Sequence, residues 1–268
     1  MADPWIRETG TAADLWPEAV ARSPREAAFV VRADGVWRDV GWTEANTSVD
    51  ELAAGFDALG VRRGDRVALL ARTGLEWILV DHALIALGAV VVPIYPTSGF
   101  ADVAHLLNDS GARMLACDSP AQARRVDAAR AELFGLETVV GIGEASGDLS
   151  LEEVRARGRE ALARDASLVA TRRTCVEPDD LMTIVYTSGT TGPPKGCELT
   201  HRNWRAHVEM IAAMPELVRP GDRTVLHLPL AHVFARLIEM MSARLGLTMG
   251  LCPEPAQLPS ALAAVRPT

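Results

Sequence analysis

One segment of the sequence, Tyr186 to Gly196, concentrates the residue types that bind anionic oxygen. It reads Tyr-Thr-Ser-Gly-Thr-Thr-Gly-Pro-Pro-Lys-Gly. Its glycines let backbone amides approach an anion closely, its hydroxyl side chains donate hydrogen bonds, and Lys195 adds a positive point charge. The two adjacent prolines restrict the loop, so part of the ordering entropy is removed before a ligand binds. The segment therefore predicts a polyphosphate site.

The spacing of this segment differs from that of the Walker loop, in which a glycine is followed by four residues and then by Gly-Lys-Ser/Thr. Counting from Gly189 places Pro194 where the second glycine belongs, and Gly196 follows Lys195 where a hydroxyl residue belongs. A Ras-like or kinase-like hydrolase is therefore disfavoured. The remaining alternative is a turn without a ligand, and the density of donors between a predicted strand and a predicted helix argues against it.

Short apolar runs and helical periodicities alternate along the chain. The runs predict strands at 66–70, 89–94, 114–117, 137–140, 181–186, 224–228 and 247–251. The periodicities predict helices at 46–59 (with Thr47 and Asp50 as a capping box), 76–87, 101–108, 122–134, 200–214 (with Thr200 as N-cap), 233–245 and 258–265. This alternation predicts an α/β fold of layered, mostly parallel sheets that are covered by helices.

The pattern divides the chain into two regions. Residues 1–175 form a first α/β region, in which alternating charges at 150–173 predict exposed helices. Residues 176–268 contain the phosphate loop and begin a second α/β region. The chain reaches Thr268 where the alternation calls for another strand, so the sequence predicts a domain that is incomplete at its C-terminus.

Composition excludes several classes of protein. The 268 residues include 27 Lys and Arg against 35 Asp and Glu, a net charge of −8, and 49% are hydrophobic. Such a chain is globular rather than disordered, and its acidity disfavours nucleic-acid binding. The most apolar window, 83–94, is too short for a membrane span of about 20 residues. With no secretory signal and no cysteine pair, we expect a cytoplasmic location. Peripheral membrane contact and the oligomeric state stay open.

The Tyr186–Gly196 segment resembles the phosphate-binding signature of the AMP-forming adenylating superfamily. Two further stretches, Val-Pro-Ile-Tyr-Pro-Thr-Ser at 92–98 and Leu-Pro-Leu-Ala-His-Val-Phe-Ala-Arg at 228–236, are most similar to long-chain fatty acyl-CoA synthetases. The resemblance covers this chain and only the N-terminal portion of a typical member. It implies ATP-dependent activation of a long-chain fatty acid to an acyl-adenylate, followed by transfer to coenzyme A, with Mg²⁺ as the metal that accompanies ATP.

The resemblance also implies roles for individual residues. The β- and γ-phosphates would be contacted by Thr187, Ser188, Gly189, Thr190, Thr191, Gly192 and Lys195. Lys195 would also act in catalysis, together with His232 at the edge of the acyl and adenylate pocket. The alternative for His232 is a helix cap. Arg236 and Glu239 follow at helical spacing, and we expect them to form a surface pair. His201 and His207 lack metal-ligand spacing, so no metal site made by protein alone is predicted.

Three family features have no counterpart in these residues. They are a Tyr-Gly-x-Thr-Glu segment for adenine and magnesium, a later Asp for the ribose, and a C-terminal lid domain with a catalytic lysine. We therefore expect the 268-residue chain alone to be inactive. Two alternatives remain open: a truncated module that binds a nucleotide or a partner without catalysis, and another adenylating branch, such as an aryl-CoA ligase or an amino-acid adenylation domain. Acyl chain length is not indicated by the sequence.

Overall fold

The computed structural model describes residues 10–23, 26–187 and 193–268. Its strands are β1 (Ala27–Ala33), β2 (Val36–Gly41), β3 (Arg66–Leu70), β4 (Val90–Ile94), β5 (Met114–Cys117), β6 (Thr138–Gly141), β7 (Leu149–Ser150), β8 (Leu181–Thr187), β9 (Lys195–Thr200), β10 (Arg223–Leu226) and β11 (Thr248–Leu251). Its α-helices are α1 (Leu15–Arg22), α2 (Trp42–Ala58), α3 (Leu75–Ala86), α4 (Phe100–Ser110), α5 (Pro120–Ala128), α6 (Leu151–Arg164), α7 (Leu168–Thr174), α8 (His201–Ala212), α9 (Val233–Leu245) and α10 (Leu258–Val265).

Within the described ranges these strands form two sheets. The larger has the order β7-β6-β5-β3-β4-β8-β9 and is parallel except for β9, which runs antiparallel to β8. The smaller has the order β10-β11-β1-β2, with β2 antiparallel to β1. The predicted α/β fold of mostly parallel sheets is confirmed. Each sheet contains strands from before and from after residue 175. The predicted boundary at residue 175 therefore divides the sequence but does not divide the sheets.

The central strands of the larger sheet are buried on both faces. Along β3, Val67 and Leu69 belong to a core that also contains residues of the smaller sheet and of α2, α3, α8 and α9. Ala68 and Leu70 belong to a second core with α4 and α5. A strand that is buried on both faces has no polar side to alternate with, which explains why these strands are recognisable as continuous apolar runs.

Most predicted elements are confirmed within two or three residues at each end, with two exceptions among the helices. The helix predicted at 122–134 ends at Ala128, six residues early. Helix α2 begins at Trp42 after Gly41 rather than at residue 46. The capping box at Thr47 and Asp50 is therefore wrong. Thr47 lies inside the helix, and its hydroxyl donates to the carbonyl of Thr43 over 3.1 Å. The apolar face of α2 extends one turn earlier than the capping pattern suggests, because Trp42 and Ala45 are buried.

The charged stretch at 150–173 forms α6 and α7, and α6 has one buried face against α2. A Cβ placed on Gly158 would lie 1.7 Å from the carbonyl oxygen of Glu51, and one placed on Gly55 would lie 2.1 Å from that of Val154. Both distances are far below van der Waals contact, so the backbones approach closely only because these positions are glycine. The prediction of exposed helices thus holds for the outer face of α6 and for α7, in which Val169 is the one buried residue.

Gly158→Ala is expected to lower the free energy of unfolding by about 1–3 kcal/mol, because the new methyl group must separate α6 from α2. The sign of the change in the free energy of unfolding is informative, because Gly→Ala inside an exposed helix would raise this free energy by about 1 kcal/mol. Urea unfolding followed by tryptophan fluorescence measures the effect. The matched control is Gly135→Ala at an exposed position, where the nearest atom to the new Cβ would be 3.7 Å away. A stabilising Gly158→Ala would contradict the close approach.

Candidate functional site

The two described ends of the predicted phosphate segment lie on a β-hairpin formed by β8 and β9. The sequence predicted a strand, a loop as far as Gly196 and then a helix, but residues 195–200 form β9, which pairs with β8. The missed strand is an edge strand whose residues from Lys195 to Glu198 are exposed, so it carries no apolar run. The predicted start of the next helix is confirmed, because the hydroxyl of Thr200 accepts from the backbone N–H of Asn203 at 3.2 Å.

The hairpin brings the two ends of the predicted segment together. Thr187, the last residue of β8, pairs with Lys195, the first residue of β9, and both side chains are exposed. The other predicted phosphate contacts, Ser188 to Gly192, lie outside the described residues. The pair sits at the carboxyl edge of the parallel strands, which is where ligands bind in open α/β sheets.

A cleft of about 730 Å³ adjoins the hairpin. It is lined by residues that follow β4, by one face of α4, by the end of β8 and by the start of α9: Pro93, Tyr95, Thr97, Ser98, Asp102, Leu106, Val185, Tyr186, Thr187, Pro194, His232 and Val233. Of the predicted site residues, Thr187 and His232 are thus brought to one cavity. Lys195 flanks this cleft next to Pro194 and does not line it.

His232 is both a helix cap and a residue at the edge of the cleft, the two alternatives that the sequence left open. It is the N-cap of α9, where its Nδ1 accepts from the backbone N–H of Phe234 over 3.2 Å. Its side chain is also exposed to the cleft. The capping role is therefore present in the structure, and it leaves the ring available at the mouth of the cavity.

Thr73, in the loop after β3, fixes the segment that leads to His232. Its hydroxyl donates to the carbonyl of Leu228 over 2.7 Å and accepts from the backbone N–H of Leu230 at 3.1 Å. A single buried side chain therefore satisfies two backbone groups of an irregular segment. Sequence reasoning missed Thr73, because nothing local marks its partners 155 and 157 residues away.

Arg236 and Glu239 do not form a surface pair, and that prediction is wrong. Both are about 1% exposed. The Nε and Nη2 atoms of Arg236 donate to the Asp81 carboxylate of α3 over 2.8 and 2.5 Å. The Oε1 atom of Glu239 lies 2.7 Å from Nε2 of His82, also on α3. The helical spacing of the two residues was identified correctly, but this side of α9 faces the core, whereas the apolar side chain of Phe234 is 55% exposed.

Tyr186 and Gly196, at the outer ends of the phosphate segment, hold the hairpin together. They are cross-strand partners, and a Cβ on Gly196 would lie 3.3 Å from the Tyr186 ring and 2.7 Å from Cγ2 of Ile184. Tyr186 is buried, and its hydroxyl donates to Oδ2 of Asp109 on α4 over 2.6 Å. Burial and the Asp109 carboxylate raise the pKa of Tyr186, so its phenol stays protonated and keeps donating.

Lys195 is the single lysine among the 268 residues, since the other 26 of the 27 Lys and Arg residues are arginines. This feature of the composition singles out the position before any motif is compared, and it was missed. A lysine side chain offers a compact ammonium on a flexible stem, which suits a phosphate group as a point charge. Lys195 also supplies the chain's one side-chain amine, which makes it selectively accessible to chemical labelling.

Neither histidine of α8 forms a metal site with the other. His201 is buried, and burial lowers its pKa to about 4, whereas His207 is exposed. In the part of the chain that the structure describes, no group of three His, Cys, Asp or Glu side chains could hold a metal ion. Among the same residues, no helix is both long and apolar enough to cross a bilayer.

Comparison with known proteins gives consistent matches. The model of the AMP-binding enzyme family matches residues 16–268. The long-chain-fatty-acid–CoA ligase FadD15 of Mycobacterium bovis is 37% identical over 236 residues, which cover 88% of this chain and 39% of that protein. The L-proline ligase for L-prolyl-carrier protein of Pseudomonas fluorescens is 31% identical, over 88% of this chain and 44% of its own length.

A solved structure shares the fold. The crystal structure of the N-terminal domain of FACL13 from Mycobacterium tuberculosis has a TM-score of 0.81 at 29% identity, and the match covers 96% of this chain and 61% of that one. The chain spans about two fifths of the length of the curated relatives. With Thr187 and Lys195 at the carboxyl edge of the sheet and the family match running from residue 16 to 268, the chain belongs to the AMP-binding enzyme family.

Proposed function

We propose that this chain carries the phosphate-binding part of an enzyme that activates a long-chain fatty acid with ATP and transfers the acyl group to coenzyme A. The observation that carries the proposal is the placement of Thr187 opposite Lys195, beside a cleft that also contains His232. The similarity to the FadD15 ligase supports the choice of a long-chain fatty acid. Because the chain spans 39% of that relative, the complete reaction is proposed for the whole protein.

The chemistry requires positive charge and hydrogen-bond donors at the leaving group. A carboxylate is a poor electrophile, so it first attacks the α-phosphate of ATP to form an acyl-adenylate, and pyrophosphate leaves. Charge accumulates on the departing oxygens, where Lys195 and the hydroxyl of Thr187 would stabilise it. Mg²⁺ enters the proposal together with ATP, as the metal that accompanies the nucleotide.

The cleft suits a substrate with one polar and one apolar part. Its volume of about 730 Å³ lies within the range of about 300–1,000 Å³ that is typical of small-molecule sites. Pro93, Leu106 and Val233 supply apolar surface, whereas Thr97 and Asp102 supply polar groups. We propose that His232 contacts the carboxylate or the adenylate at the edge of this cleft.

A second candidate is a module that binds ATP without catalysis, and the limited coverage of the relatives favours it for the 268-residue chain alone. Palmitate-dependent ATP–pyrophosphate exchange separates the two candidates. We expect the isolated chain to show no exchange. Palmitate-dependent exchange by this chain would contradict the hypothesis of a module that binds ATP without catalysis. Replacing palmitate with proline or benzoate in the same assay tests the other adenylating branches, one of which is represented by the proline ligase relative.

ATP with Mg²⁺ is expected to protect Lys195 from amine-reactive reagents. Lys195 is the sole lysine, so acetylation of the 268-residue chain by a succinimidyl ester reports on one side chain and on the N-terminal amine. Mass spectrometry of the peptide that contains Lys195 should show slower labelling as ATP is added, because a phosphate group engages the ammonium. The N-terminal amine is the internal control. Equal labelling of Lys195 with and without ATP would exclude phosphate binding at the hairpin.

Lys195→Ala in the polypeptide encoded by the entire reading frame is expected to lower palmitate-dependent ATP–pyrophosphate exchange by about 100-fold or more, because a group that stabilises developing charge is lost. Lys195→Arg keeps the charge and should retain more activity. The matched control is Arg38→Ala, which removes an exposed cation on the other sheet that is paired with Glu44. Exchange at the unaltered rate in Lys195→Ala would refute the role of this lysine.

A further inference from the structure

We propose that His105 of α4 is a positioning residue for the phosphate hairpin, which it holds through the backbone carbonyl of Pro194, the residue before Lys195. This inference rests on the proposed function, since it assigns a purpose to the hairpin's alignment. His105 belongs to neither the phosphate segment nor the other stretches that resemble the family.

One face of α4 meets both the cleft and the hairpin. Asp102, His105, Leu106 and Asp109 follow one another at the spacing of a single helical stripe. Asp102 and Leu106 line the cleft, and Asp109 accepts the hydrogen bond from Tyr186 on β8. His105 lies between these contacts, so the same face that borders the substrate cavity also touches the hairpin.

The contact of His105 with the hairpin is a directed hydrogen bond. Its Nε2 lies 3.1 Å from the carbonyl oxygen of Pro194. Because a carbonyl oxygen can only accept, Nε2 carries the proton. The imidazole ring also packs edge-on against the ring of Tyr186, with the ring centres 6.4 Å apart and an interplanar angle of 78°. The half-buried His105 side chain therefore contacts both stems of the hairpin.

This bond comes where the strand pairing ends. The register of β8 and β9 runs from Leu181 and Thr200 to Thr187 and Lys195. Pro194 has no N–H group with which to extend the ladder towards the phosphate loop. The N–H of His105 supplies the next hydrogen bond along the second stem, and it anchors that stem to α4. The position of Lys195 relative to Thr187 then depends on a side chain outside the hairpin.

The two stems are anchored to α4 in different ways. Tyr186 is buried and bonded to Asp109, so loss of that contact would leave a buried polar group unpaired and would reduce stability. His105 is half-buried, and Pro194 is as well, so water can replace the lost donor. Removal of the His105 donor should therefore loosen the alignment of the hairpin with little change in melting temperature.

The single lysine provides a direct probe. A chain labelled with ¹⁵N-lysine gives one backbone amide cross-peak, that of Lys195. In His105→Leu, which lacks the donor, this peak is expected to shift or broaden, and the ATP concentration that half-protects Lys195 from acetylation should rise about five- to tenfold. His105→Gln can place an amide N–H near the same carbonyl and should restore both readouts to within about twofold. The control is His207→Leu on the exposed face of α8, which should change neither.

The outcomes separate the two proposals. A Lys195 cross-peak that is unchanged in His105→Leu would overturn the positioning role of His105, whether or not ATP protects Lys195 from acetylation. A shifted peak that His105→Gln does not restore would also overturn it, since the effect would then come from altered packing. If ATP neither moves the wild-type peak nor protects Lys195, the proposed phosphate site fails, while the lysine peak of the two variants still decides the contact between His105 and the hairpin.

Discussion

The buried ion pair between Asp81 and Arg236 joins helix α3 of the larger sheet to helix α9 of the smaller sheet. Asp81 lies on α3, which connects two neighbouring strands of the larger sheet, and Arg236 lies on α9, which connects β10 and β11 of the smaller sheet. The guanidinium carbon of Arg236 is 5.8 Å from the centre of the Trp77 ring and 5.3 Å from that of Trp204. A buried ion pair adds little net stability over apolar side chains, but a half-removed pair is strongly unfavourable. The pair therefore fixes how α9 sits against α3.

The position of α9 determines the wall of the cleft. His232 caps this helix one turn before Arg236, and its carbonyl accepts from the backbone N–H of Arg236 over 3.1 Å. Thr73, just before α3, holds the preceding segment. α3 thus supports α9, which His232 caps, and also packs on β3 and β4 of the larger sheet. The opposite wall belongs to α4, so the two walls are set by helices from two separate cores.

Sequence patterns predicted the elements that are buried on both faces, because their apolar runs are continuous. They failed for β9, whose exposed residues give no such run, for the start of α2 and for the end of α5, and they gave no prediction for the elements before α2. For the candidate site, the motif singled out Thr187 and Lys195, which the structure places opposite each other, and the helix after His232 was predicted with its observed ends. Periodicity grouped Arg236 with Glu239 but did not orient them, because burial depends on Asp81 and His82, which lie more than 150 residues earlier. Thr73 and His105 were missed for the same reason.

The capping bond of His232 constrains any role it has towards a substrate. Since Nδ1 accepts from the backbone N–H of Phe234, the neutral ring carries its proton on Nε2. The ring therefore presents a hydrogen-bond donor, which would match the carboxylate of the proposed fatty acid substrate or an oxygen of its adenylate. A general base would need a free acceptor nitrogen, and the capping bond already uses the one that the neutral ring has. In the proposed reaction His232 would thus orient the substrate and stabilise charge rather than abstract a proton, since the nucleophile, a carboxylate, is already deprotonated.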